Sequence, residues 1–142
     1  MTARRTNMSS IILWTIFFGF SAIAIGLNWD PDLLDPRGTN GTVRLVLIAA
    51  WVAFTAYSIH CSRHENLFRT VGAMSKLYWG RQIGIDLYIS VGLSIAFVYL
   101  VTGSIVTTLF WSLAFIPFAN QAILLFVILY LDDILAMAPG LN

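Results

Sequence analysis

Charge is scarce in this sequence, and that scarcity sets the broad class before any motif does. Eight Lys and Arg and seven Asp and Glu make up 11% of the 142 residues, whereas 58% are hydrophobic, and the mean hydropathy is +0.81. Soluble domains average roughly 45–50% apolar and about 25% charged residues, so a water-soluble fold of this size has too little polar surface to cover so much apolar side chain. The net charge of +1 gives no reason to expect nucleic acid. Phosphate binding needs a clustered basic patch, and the basic residues here are scattered among apolar runs. A single cysteine, Cys61, excludes an intrachain disulfide and any Cys-rich metal or redox motif. No Ser/His/Asp order and no Gly-rich phosphate loop are present, so an enzyme is the less expected class. The halves do not echo each other either, as those of an inverted-repeat transporter usually do.

What the chain has instead is long apolar runs. A membrane helix needs about 20 mostly apolar residues to cross roughly 30 Å of hydrocarbon. Residues 10–28 meet that without a charge, residues 42–60 meet it with Arg44 placed to snorkel outward at one end, and residues 83–102 form a third run. "TGS" at 102–104 then offers a turn. Residues 105–131 are apolar throughout but carry Pro117 in the middle. They are expected to form a fourth span, long and kinked near Pro117; a re-entrant hairpin over 105–135 is the alternative. The fold class is therefore an all-α membrane protein with four transmembrane helices, a single helical domain over 1–142. Arg4 and Arg5 before "SAIA" also resemble a secretory leader, but the run is long enough to be read as a span.

Lys and Arg near the span ends set the orientation. Arg4 and Arg5 precede span one and Arg63, Arg69, Lys76 and Arg81 fill the 60–81 connection, so both are expected to be cytoplasmic. Four spans would return the C-terminus to that same side. His60 and His64, Arg81 and Asp86, and Asp132 and Asp133 would then form one polar cluster at the cytoplasmic ends of three helices. Within it, Asp86 is read first as the ion-pair partner of Arg81 or His60, and second as a proton- or cation-handling carboxylate. His60 and His64, at i and i+4, are weak metal candidates with Asp86 or Asp132 completing the shell, although polar residues belong where a helix leaves a membrane. Asp30, Asp32 and Asp35 crowd the outer connection without meeting a calcium-loop pattern.

Small residues four apart, Ala22 with Gly26, Ser90 with Ser94 and Gly92 with Ala96, permit close helix packing within the bundle or between chains. Trp29 and Trp79 fall where interfacial aromatic anchors are expected. Together these features point to a small non-catalytic integral membrane subunit or scaffold. Its partners would be the lipid bilayer and other membrane protein subunits or copies of itself. The alternative is a small oligomeric transporter or channel with Asp86 as its coupling group.

Overall fold

The computed structural model describes residues 8–38 and 40–138, and among these it is helical with no strand. Three helices are long and apolar enough to cross a membrane: α1 (Met8–Leu27), α2 (Gly41–His64) and α4 (Tyr78–Thr102). They match the first three expected runs, each somewhat displaced at its ends. Arg4 and Arg5 lie outside the described residues. A one-turn 3₁₀ segment, Pro31–Leu34, connects α1 to α2. Asp30 caps that turn by accepting from the Asp32 N–H, and Asp35 accepts from the Arg37 N–H, so two of the three crowded carboxylates serve local turns. Between α2 and α4 lies α3 (Leu67–Met74), started by Asn66, whose side chain accepts from the Arg69 N–H. Its apolar stripe of Leu67, Val71 and Met74 is exposed.

The turn at 102–104 forms as expected. Gly103 takes φ +62°, a left-handed conformation open to glycine, and ends α4. Ser104 then caps α5 (Ile105–Phe118) by accepting from the Thr107 N–H. Two residues thus reverse the chain and lay α5 against α4.

A single long fourth helix does not form. The chain breaks again at Ala119, two residues after Pro117, and continues as α6 (Asn120–Leu129) and the short α7 (Leu131–Ala136). Trp111 on α5 packs edge-on against Phe126 at 5.2 Å and Tyr130 at 6.2 Å between ring centroids. In one continuous helix residues 111 and 130 would be about 28 Å apart at about 1.5 Å per residue. The segment is therefore a hairpin with its tip at Pro117–Gln121, which is the alternative the sequence offered. Arms of 14 and 10 residues reach only about 21 and 15 Å, too short to cross.

The hairpin is also the core. Of the five largest fully buried side chains, Trp111, Phe115 and Phe126 belong to it, with Phe17 from α1 and Val98 from α4. The long helices pack on it from separate sides: α4 along α5, α2 along α6, and α1 across both. Phe17 meets Phe118 at 4.8 Å, Phe20 stacks on Phe110 at 4.6 Å, and the Trp51 Nε1–H donates to the Gln121 carbonyl at 3.0 Å. The physical reason is that a helix apolar all round has to be enclosed or lie in lipid. A backbone reversal inside hydrocarbon is tolerated only where protein or a cavity surrounds it.

Ala119 holds φ 41°, ψ −116°, a region that side chains with a Cβ rarely enter. Ala119→Gly is accordingly expected to stabilise the protein by about 1 kcal/mol, and Ala119→Val to destabilise it by more. Thermal unfolding in detergent reads both. A glycine variant that melts at or below the wild-type temperature would mean the tip is unstrained.

Candidate functional site

Folding the last segment back separates the residues that the sequence places in one cluster. Asp132, at the start of α7, accepts from the Asn40 side-chain amide at 2.9 Å and forms an ion pair with Arg44. Both partners sit at the N-terminal end of α2. His60 and His64 are at its other end, some sixteen or more residues along, or at least about 24 Å away. Asp132 and the adjacent exposed Asp133 are thus removed from the histidine end, and the chain ends its described part on the Arg44 side. Arg44 does not snorkel outward. Its side chain is 8% exposed, against 65% for Asp132. The two hydrogen bonds, from Asn40 first and then Arg44, hold the Asp132 carboxyl below the usual carboxylate range, against an opposing effect of burial.

At the other end, the His60 and His64 rings lie 4.4 Å apart, and His64 Nδ1 is 2.8 Å from the His60 carbonyl. They share a face as the spacing requires. Among the described residues, however, no third His, Cys, Asp or Glu joins them in a metal-holding group. Arg81 lies over the Tyr78 ring, 4.6 Å from its centroid, rather than against Asp86. Asp86 is exposed and has no ion-pair or side-chain hydrogen-bond partner among the described residues; only its backbone carbonyl is engaged, by the Ser90 hydroxyl at 3.0 Å. The small residues fall the same way: Ala22, Gly26, Gly92, Ala96 and Ser90 are exposed, and Ser94 is half-buried with its hydroxyl donated to the Ser90 carbonyl. A Cβ added at Gly26 or Gly92 would meet nothing within 4 Å. These pairs therefore do not pack the bundle, whose close contacts use Ala24, Ala114 and Ala122 instead.

The site that the fold does build lies under the hairpin tip. A cleft of about 430 Å³ is bounded by α1, α2, α3, α4 and the tip, with Trp14, Tyr57, Ser58, Ser62, Glu65 and Gln121 among its walls. It is positioned by the inner face of α2, where Arg44, Trp51, Thr55, Ser58 and Ser62 recur at helical spacing. The Trp14 Nε1–H donates to Ser62 Oγ at 3.1 Å, tying α1 to that face. Glu65, where α2 ends, accepts from the Thr70 hydroxyl at 3.2 Å. Glu65 and Thr70 also border a wider open groove of about 750 Å³ that includes His64 and Arg69, so the cleft leads outward at the 60–81 connection.

None of Gln121, Ser58, Ser62, Glu65 or Asn40 stands out in the sequence as a site residue. The polar stripe on α2 was the available signal, because four or five polar or amphipathic side chains on one face of an otherwise apolar helix mark the face turned to protein. Comparison of the chain with protein-family models, curated proteins and solved structures finds no match.

Proposed function

We propose that this chain is a non-catalytic integral membrane subunit, working in assembly with other membrane proteins or with copies of itself through the outward face of α4. The observation that carries this is Asp86, a carboxylate on the exposed side of a long apolar helix, eight residues or about 12 Å from the start of α4, and unpartnered among the described residues. An acidic side chain near the centre of a membrane helix costs about 2.5–3.5 kcal/mol on insertion scales, and near an end somewhat less. A partner that supplies a cation or a hydrogen-bond donor removes that cost. Only Val91 and Val98 of the 25 residues of α4 are buried, and Gly92 and Ala96 leave the outward half open to close approach by another helix. The Lys and Arg distribution supports placing the 60–81 connection and the N-terminus in the cytoplasm. A coupling role in transport has less support, since Asp86 lies on the exposed side of α4 and not among the walls of the cleft described above.

Asp86→Asn and Gly92→Leu test this in mild detergent and in nanodiscs. The Asp86 carboxylate has no polar partner among the described residues and a Cβ at Gly92 would meet nothing within 4 Å, so helicity and melting temperature of the isolated subunit should stay as in the wild type. Association should weaken roughly tenfold to a hundredfold for Asp86→Asn, the loss of a charge-assisted hydrogen bond worth about 1.5–3 kcal/mol. Native mass spectrometry measures both. A wild-type chain that is monomeric and partner-free in lipid overturns the proposal, as does a fully assembled Asp86→Asn protein that has lost a cation-dependent flux.

A further inference from the structure

We propose that the cleft under the hairpin tip binds an uncharged amphiphile, one that presents a carbonyl group to Gln121 and the start of α6 while its tail lies along the aromatic walls. Gln121 is 7% exposed and lines the cleft. Its side-chain amide makes no hydrogen bond among the described residues, although its backbone carbonyl is taken by Trp51. The amide opens onto the cleft, so a ligand group that pairs with it takes the place of water there.

Beside it, α6 begins without a cap. The first N–H groups of any helix lack intrahelical acceptors, and here the N-cap is Ala119, which offers no side-chain oxygen. Amide and helix start together make the tip rich in donors, so the ligand group they select is an acceptor.

Charge then narrows the class. Among the described residues no Lys or Arg lines the cleft, and the one carboxylate among its walls, Glu65, stands at the α3 side rather than at the tip. An anion would be drawn by the helix start alone, with no cation to neutralise it and Glu65 repelling its entry. A cation would meet the positive end of α6. A neutral carbonyl satisfies the donors without either penalty. Of the remaining walls, Leu13, Trp14, Phe54, Tyr57, Leu87 and Phe118 are apolar or aromatic, while Ser58, Ser62 and Thr70 add hydroxyls and Asn120 a second amide. A volume of about 430 Å³ falls in the range of small-molecule sites, about 300–1,000 Å³. Membranes offer such a carbonyl on two kinds of molecule, a quinone head or an acyl ester.

Cys61 supplies the test, because it lines the cleft and is exposed. The rate at which a thiol reagent labels Cys61 in nanodiscs is measured against increasing amounts of a fully substituted decyl benzoquinone, monolaurin, potassium laurate at pH 8, and dodecane. Either carbonyl probe, or both, should slow labelling saturably, by about fivefold or more, and whichever protects better identifies the source. Laurate and dodecane should protect weakly. Gln121→Leu keeps the side-chain bulk and removes the donor, and should raise the concentration needed for half-protection about tenfold. Ser58→Phe, which fills the cleft from α2, should abolish protection if the leucine variant does not fold. No protection by either carbonyl probe overturns the proposal. Equal protection with leucine at position 121 also does, and so does laurate protecting as well as the carbonyl probes.

Discussion

A cysteine introduced at Met137 in a Cys61→Ser background is expected to react with a membrane-impermeant thiol reagent from the same side as one introduced at Asp35, while the native Cys61 reacts only from the other side. Met137 is exposed and lies five residues beyond Asp132. Asp132 is held to Asn40 and Arg44 at the N-terminal end of α2. Cys61 is exposed near the C-terminal end of the same helix, seventeen residues from Arg44 and so about 25 Å along its axis. The outcome is close to all-or-none, since a reagent confined to one side reaches one set of positions and not the other. Labelling of Met137 from the Cys61 side would require residues 105–131 to cross as a fourth span, and the hairpin would then be wrong. The hairpin also makes the first three helices depend on the fourth segment: with α5 and α6 at the centre, removing them leaves α1, α2 and α4 without their shared packing surface.

The second large effect is at the clasp that closes this arrangement. Asp132→Ala should lower stability by about 1–3 kcal/mol, whereas Arg44→Met should cost less than about 1 kcal/mol. The asymmetry follows from burial. Removing Asp132 leaves the enclosed Arg44 guanidinium, whose Nε already has no acceptor, without its counter-charge. Removing Arg44 leaves Asp132, 65% exposed, to water. This cost stays below the roughly 3–5 kcal/mol of fully buried pairs because one partner is solvated. Acid should act through the same contact. The folded Asp132 carboxyl is more acidic than the unfolded one, so its contribution is complete above the unfolded value of about 3.9 and is lost as pH falls through the lower folded value. Melting temperatures in detergent between pH 7 and pH 3 check this. The wild type should lose stability at the acid end through a component that Asp132→Asn lacks, and equal acid sensitivity in both would remove Asp132 from the account.

Particular residues mark how far the sequence reaches. The three long helices and the reversal at Gly103 follow from local chemistry: runs of apolar residues, a glycine able to take positive φ, and a serine placed to cap. Pro117 likewise announces a break. Whether that break kinks a span or folds it back is not a local property. Hydropathy sums the cost of leaving water, and it is the same for a helix that faces lipid as for one enclosed by protein, so 105–131 reads alike in both cases.

The polar residues divide along the same line. His60 and His64 share a face because four residues separate them on one helix, and the sequence is sufficient for that. Arg44 and Asp132 are 88 residues apart, and Trp14 and Ser62 are 48 apart; no periodicity encodes such pairs. The sequence by itself determined an all-helical chain with three helices fit to cross a membrane, because each of those features is summed over neighbours along the chain. Only the tertiary structure decided that the fourth segment is the core, that Asp132 answers Arg44 while Asp86 faces outward, and that Gln121 meets a cleft. Each of these depends on which helix face another helix covers, and that is fixed when the segments pack.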